Sequence, residues 1–206
     1  MTRATLFHVK PYWIRAAEFA GLTPTELQIG QMERYQIWLT TEGIAAGGIG
    51  PSETTRVDLR HLADSVLFAH QIGGETGTVW DLGSGVGLPG FPLAITHPGR
   101  EFVLVDRSGR RVDLMKRALR ILELDNCTVV HDDISNLQPV LDTVVSRASL
   151  APERLGEEMR RLLRPGGLAV VAGSWEQPPV HPGWETIEIP PNVLDHTVWV
   201  LMMRRE

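Results

Sequence analysis

Between Asp81 and Gly90 the chain reads Asp81-Leu-Gly83-Ser-Gly85-Val-Gly87-Leu-Pro-Gly90, directly after the apolar run Val79-Trp-Asp-Leu82. A short strand ends, the chain turns on glycines, and a helix begins with Pro89 near its start. Glycine is needed in such a turn because a Cβ would hold a ligand off the backbone, and because the turn uses φ values other residues resist. Strand–helix alternation continues from there. Strands are expected at 79–82, 101–105 (ending on Asp106), 127–131, 141–146 and 168–172. The helices between them include one capped by Ser108, with Val112, Met115, Leu119 and Leu122 as its apolar stripe. Another is opened by Pro152, carries Leu155, Met159 and Leu162, and is stopped by Pro165-Gly-Gly167. This alternation predicts a parallel sheet covered by helices on both faces. Segments 184–189 and 196–203 read as strands joined by a turn with no helix between them, so the last strand runs antiparallel.

The first 75 residues differ. A short helix is expected over 12–20, ended by Gly21. Thr23-Pro24 reads as an N-cap with proline at the first position of a helix over 24–41, on which Met32, Tyr35 and Leu39 share a face. A glycine-rich loop, 43–51, precedes a second helix over 57–72. Its stripe is Leu59, Leu62, Val66 and Ala69, and Gly73-Gly74 stops it. The organisation expected is a helical cap, 1–75, and a strand–helix core, 76–206, in one compact unit, since 206 residues argue against two full domains.

With 43% hydrophobic and 22% charged residues, the composition is that of a folded globular chain. The single cysteine, Cys127, lies in an apolar run; it excludes a disulfide framework or a cysteine-based zinc site and reads as a core strand residue. No run approaches the roughly 18 apolar residues of a membrane span, and the N-terminus lacks an apolar signal core. The cytoplasm is the expected location, with no membrane partner. A net charge of −5 is unlike a dedicated nucleic-acid binder. Yet Arg107, Arg110, Arg111, Lys116, Arg117 and Arg120 crowd one segment, and Arg160, Arg161 and Arg164 another. That leaves room for a local phosphate-binding patch.

Two nucleotide motifs compete at the loop. Gly85, Gly87 and Gly90 satisfy G-x-G-x-x-G, with Asp106 placed as a ribose-binding acid. Asp81 with Gly83, Gly85 and Gly87 satisfies the D-x-G-x-G-x-G of enzymes that use S-adenosylmethionine (SAM). Asp81 favours the second, because a carboxylate there repels a pyrophosphate but suits the methionine part of SAM. The fold class is therefore α/β, doubly wound and Rossmann-like, as in class I SAM-dependent methyltransferases. The cofactor expected is SAM, held by Asp81, Gly83, Ser84, Gly85, Gly87, Leu88, Pro89 and Gly90, with Asp106 on the ribose hydroxyls and Arg107 beside it. After the third strand Asp133 can accept from the adenine amino group while Ile134 packs on the ring; Asp132 is an equally acidic alternative. Ser146, the last residue of the fourth strand, and Arg147 after it complete the expected cofactor-binding set. No metal is expected.

Asp81 to Pro92 resembles the cofactor loop of the bacterial small-subunit (16S) ribosomal RNA guanine-N7 methyltransferases, once called glucose-inhibited division protein B. The Gly-Leu-Pro-Gly continuation (Gly87 to Gly90) is more specific than the glycines alone. Arg60-His-Leu-Ala-Asp-Ser65 resembles the family's Arg-His-x-x-Asp-Ser, and Ser146-Arg-Ala148 its Ser-Arg-Ala. The family's Trp-Asn-Lys…Asn-Leu-Thr segment is replaced by residues 39–51, and its Lys-Gly pair by Ala172-Gly173. The resemblance implies methyl transfer from SAM to a guanine N7, with ribosomal RNA or the small subunit as partner. It also implies that His61, Asp64 and Ser65 close over the cofactor; an internal cap-to-sheet hydrogen-bond network is the alternative.

Guanine N7 is an unprotonated lone pair at neutral pH, so no general base is required, and no His–Asp pair is apparent at the sheet's carboxyl edge. Ser146-Arg147-Ala148 also differs from the Asn/Asp-Pro-Pro-Tyr that methylates exocyclic amines. Arg147 is the candidate for substrate positioning. It can donate to guanine O6 or grip a phosphate or carboxylate; a structural ion pair is the alternative. If RNA is the substrate, the two arginine clusters should gather beside the cofactor mouth. A divergent relative acting on a small molecule, or a SAM-binding protein without catalysis, are the alternative functions.

Overall fold

A computed structural model describes residues 10–138, 140–147, 152–172 and 176–206, with only the backbone of 152–154. Ala148 and Gly173 lie outside the described residues. Seven strands form one sheet: β1 (Val79–Leu82), β2 (Phe102–Asp106), β3 (Cys127–His131), β4 (Leu141–Ser146), β5 (Leu163–Ala172), β6 (Glu185–Ile189) and β7 (Val198–Arg204). Their order is β3-β2-β1-β4-β5-β7-β6. The first five are parallel, and β7 runs antiparallel to both β5 and β6. Strand order reverses between β1 and β4, which is where doubly wound sheets open a crevice at their carboxyl edge.

The helices are α1 (Tyr12–Phe19), α2 (Glu26–Trp38), α3 (Asp64–Val66), α4 (Ala69–Ile72), α5 (Gly90–Thr96), α6 (Gly109–Leu122), α7 (Pro152–Leu162) and α8 (Pro191–Leu194). Four expectations need correction. Thr25, not Thr23, caps α2, because Thr25 and Gln28 form a reciprocal capping box that a start at Pro24 would forfeit. The expected helix over 57–72 is a π-helical segment (Val57–Ala63) followed by α3 and then α4. Ser65 Oγ donates back to the His61 carbonyl at 2.6 Å, a contact that bends helices. β5 begins at Leu163 rather than Leu168, since Leu141 on β4 offers a pairing partner there. The short α8, opened by Pro191, interrupts the turn expected between β6 and β7.

The cap is fastened by polar side chains that meet orphan backbone groups. Asp58 accepts from the N–H groups of Tyr12 and Trp13 at 2.8 and 3.1 Å, capping α1. From α2, Gln31 and Arg34 donate to the Leu122 and Ile121 carbonyls at the end of α6, and Gln28 donates to Ile95 in α5. Apolar packing is continuous across this junction. Tyr35, Leu62 and Phe68 of the cap share one buried cluster with Phe91, Phe102 and Met115, while Leu155, Met159 and Leu162 of α7 cover the other sheet face.

Candidate active site

A cavity of about 740 Å³ opens at the carboxyl edge of the sheet. Of the residues read from sequence, Gly83, Ser84, Gly85, Leu88, Asp106, Arg107, Asp133, Ile134 and Arg147 line it. Asp81, Gly87, Pro89, Gly90 and Ser146 lie behind that wall, and His61, Asp64 and Ser65 contribute no lining surface.

The loop glycines do separate jobs. Gly83, Gly85 and Gly87 all have positive φ (75, 63 and 98°). A Cβ on Gly85 would meet nothing within 4 Å, so this residue leaves an open cradle over the cavity. A Cβ on Gly87 would strike the Phe91 ring, and one on Gly90 would press on Leu104 and on Asp81 Oδ2. Those two glycines serve packing. Asp81 is fully buried at the end of β1, where its Oδ2 accepts the Gly90 N–H at 2.8 Å and its Oδ1 has no partner. Burial pushes its carboxyl up to about 7. Asp81 thus braces the loop from beneath. Ser84 Oγ donates to the Asp81 carbonyl, and Ser146 Oγ to the Leu82 carbonyl, so both hydroxyls tie backbone.

Asp106, at the tip of β2, accepts the Gly85 N–H on Oδ2 at 2.9 Å and the Ser108 N–H on Oδ1 at 2.8 Å. Arg111 approaches it at 3.6 Å. Its carboxylate is therefore held rigidly against the glycine loop, with one face on the cavity. Beyond β3, Asp132 and Asp133 both reach the cavity wall. Asp133 Oδ1 accepts from Ser135 N and Oγ, bonds that hold its carboxyl below the usual range. Asp132 Oδ1 accepts from Asp133 N and Asn136 Nδ2. Either can face an amino group.

Arg147, past the tip of β4, faces the loop across the strand reversal. Its Nη1 donates to the Arg60 carbonyl at 3.0 Å and its Nη2 to His61 Nδ1 at 3.1 Å. On its far side, His61 Nε2 lies 3.3 Å from Glu53 Oε2, although neither atom finds an aligned hydrogen bond. Burial and the Arg147 charge lower the imidazole to about 4. Asp64, one turn along the cap segment, has a buried Oδ1 without a partner, and burial raises its carboxyl to about 7 against the pull of Arg147 and Arg60. Tyr35 Oη donates to the Val86 carbonyl at 3.0 Å, tying cap to loop.

Gly48 and Ile49 were not singled out from sequence, yet they form part of the cavity wall. Gly48 packs so closely on Val86 that a Cβ would collide with it. No spacing in the chain signals this approach. Arg111 and Ser135 were also missed as wall residues, although Arg111 stood in the arginine run.

The arginines divide. Arg107 and Arg111 line the cavity. Arg110 donates to the Ala46 carbonyl and Arg117 pairs with Glu42 at 3.6 Å, so this group flanks the cap side of the mouth. Arg161 is used on the carbonyls of Ile134 and Leu137. Arg164 pairs with Asp142, the second residue of β4, at the opposite edge of the sheet, so the second cluster is split between that edge and the Ile134 side of the cavity.

A model of the family described as GidB, rRNA small subunit methyltransferase G, matches residues 28–177. Three relatives, each named ribosomal RNA small subunit methyltransferase G, show the same likeness. That from Acidothermus cellulolyticus is 33% identical over 147 residues, covering 70% of this chain and 66% of the relative. For Chlorobaculum tepidum the identity is 33% over 152 residues (73% and 70%), and for Mycolicibacterium gilvum 36% over 145 residues (68% and 63%). The chain thus aligns with about two thirds of the length of these relatives. Among solved structures, a mutant of MtNAS in complex with S-adenosylmethionine superposes with a TM-score of 0.57 at 17% identity, covering 85% of this chain and 72% of that one. A SAM-dependent methyltransferase from Aquifex aeolicus gives 0.54 at 16% identity, with 75% and 99% covered. These two bear on the fold alone. No helix of the described residues is long and apolar enough to cross a membrane.

Proposed function

This chain belongs to the rRNA small subunit methyltransferase G family, and we propose that it moves a methyl group from SAM to N7 of a guanine in small-subunit ribosomal RNA. The observation that carries this reading is the pairing of two features across the strand reversal. On one side is the open Gly85 cradle beside a rigidly held Asp106; on the other is the cavity-lining Arg147.

The residues present fit SAM. An uncovered glycine lets a ligand approach the backbone, Asp106 is set to accept from ribose hydroxyls, and Asp132 or Asp133 from an adenine amino group beside Ile134. When bound, SAM supplies an electrophilic methyl carbon, and the guanine N7 lone pair forms the new bond as the carbon–sulfur bond breaks onto sulfur. No proton moves, so the chain's contribution would be to hold the two reactants together and oriented. The Arg147 guanidinium, which is limited to donating, suits guanine O6 next to N7. His61 is no competing base, since its Nδ1 is occupied by Arg147 and its basicity is suppressed. The exposed cations Arg107, Arg110, Arg111, Lys116, Arg117 and Arg120 are suited to flanking phosphates, a local patch on an acidic chain.

The test is transfer of labelled methyl from SAM to small-subunit RNA taken from cells lacking this protein, with Asp106→Ala alongside and SAM binding followed by calorimetry. Label in the RNA that disappears with Asp106→Ala supports the reading. Tight SAM binding with unlabelled RNA removes the RNA substrate and favours a small molecule or a role without catalysis.

A further inference from the structure

The geometry points to His61 as the positioning residue for Arg147: a neutral imidazole, accepting at Nδ1 and backed by Glu53, fixes the guanidinium plane so that its unshared N–H edge faces the cavity. The substrate contact assigned to Arg147 rests on the methyltransferase reading above; the clamp itself does not.

A guanidinium has five N–H donors and no acceptor. Two contacts to the cap, Nη1 to the Arg60 carbonyl and Nη2 to His61 Nδ1, come from adjacent residues on one π-helical turn. Together they fix both position and plane, as one contact would not. Because Arg147 donates, His61 Nδ1 has to accept, and the ring proton must then sit on Nε2. That nitrogen lies 3.3 Å from Glu53 Oε2, whose Oε1 lies 3.6 Å from Arg60 Nη1. The negative charge of Glu53 beside Nε2, although not aligned as a hydrogen bond, favours a proton on that nitrogen, the tautomer that Arg147 needs. A protonated imidazole would turn Nδ1 into a donor aimed at a cation, and burial of the ring disfavours that form. Among the described residues the Arg147 guanidinium makes these two hydrogen bonds, and the residue lines the cavity. π-Helical turns recur at functional sites, and this one puts the Arg60 carbonyl and the His61 ring within reach of one side chain.

The experiment compares His61→Phe, which keeps a ring but removes the acceptor, with His61→Asn, whose side-chain oxygen can accept where Nδ1 does. Circular dichroism and thermal melts establish that both fold. His61→Phe should raise KM for small-subunit RNA about tenfold, by freeing the guanidinium, with SAM affinity within about twofold of wild type. His61→Asn should recover most of that loss. Equal losses in both variants, no loss in either, or a loss confined to SAM binding overturns the proposal. A second readout needs no activity: the ¹⁵N shifts of the His61 ring. An unprotonated Nδ1 and a protonated Nε2, unchanged from about pH 5.5 to about pH 8, with titration moving toward its ordinary range of about 6.5 in Arg147→Ala, support the clamp. A ring protonated on Nδ1, or one titrating near 6.5 in the wild type, overturns it. If wild type leaves RNA unlabelled, the methyltransferase reading fails while this measurement still decides the clamp.

Discussion

The two sides of the cavity differ in how their polar groups are satisfied. On the glycine-loop side, Asp106, Asp132, Asp133 and Ser84 each bond to nearby groups, mostly backbone, at 2.7–2.9 Å, and Asp81 Oδ1, behind the wall, is the exception. On the cap side, Asp64 Oδ1, His61 Nε2 and Glu53 Oε2 are buried without an aligned partner. Unsatisfied buried polar atoms are costly, and native chains retain them mainly where something else completes them. The first side is thus preorganised for a ligand of fixed shape. The second keeps its unmatched polar atoms behind the cavity wall, around Arg147, the member of that group that lines the cavity.

The sharpest way to break this contrast is within the loop itself. Gly87→Ala, with positive φ and the Phe91 ring in the way, should cost about 3 kcal/mol of unfolding free energy. Gly85→Ala should cost only about 1 kcal/mol yet weaken SAM binding at least about tenfold, because its methyl fills the cradle. Denaturant titration and calorimetry separate the two, and similar profiles would mean that the cradle is not a ligand surface. Next, Asp106→Ala should weaken SAM binding about tenfold to a hundredfold, having removed acceptors for two backbone N–H groups. Arg147→Lys should spare SAM binding while lowering kcat/KM for RNA about tenfold, since an ammonium cannot hold the planar, two-contact arrangement. A parallel loss of SAM affinity would merge the two sides.

A pH experiment sharpens the cap side. Asp64 has its carboxyl raised to about 7, so the folded chain holds a proton that the unfolded chain releases near its ordinary value. Stability from this group is fully present below the unfolded pKa and is lost as pH rises through about 7. His61, lowered to about 4, acts in the opposite sense over the acid part of that window, and Asp81, raised to about 7, acts alongside Asp64. Only a difference profile isolates Asp64. Asp64→Asn should gain on wild type by about 1–2 kcal/mol between about pH 5 and about pH 8; a flat difference would place Asp64 in an ordinary solvated setting. The smallest effect is expected on the surface. Lys116→Gln or Arg117→Gln should each reduce the salt slope of RNA binding by about 1, leaving melting temperature unchanged.

What was legible in the chain tracks how local each signal is. The glycine loop, Asp106 and the parallel strands depend on neighbours in sequence, and two of the family's motifs, Asp81 to Pro92 and Ser146-Arg-Ala148, lie in or next to those segments, while Arg60 to Ser65 lies in the helical N-terminal part. The capping of α2 was misplaced because Thr23-Pro24 and Thr25…Gln28 both fit an N-terminus, and only the second also lets Gln28 reach Ile95. Gly48 and Ile49 were invisible because the packing of Gly48 on Val86, which brings this loop to the cavity wall, is purely tertiary. The Arg147–His61 contact joins residues 86 apart, a distance over which residue types alone carry no geometry. Arg164 was expected at the mouth from charge crowding, but the direction of β5 carries it to the opposite edge.

The most direct measurement is the identity of the methylated nucleoside. Small-subunit RNA from cells lacking this protein would be methylated by the purified chain, digested and resolved by mass spectrometry, with Asp106→Ala in parallel. The account predicts 7-methylguanosine as the sole new nucleoside, strongly reduced with Asp106→Ala at limiting SAM. A methyl group on any other base or on ribose, or RNA left unmodified by a chain that binds SAM, would contradict it.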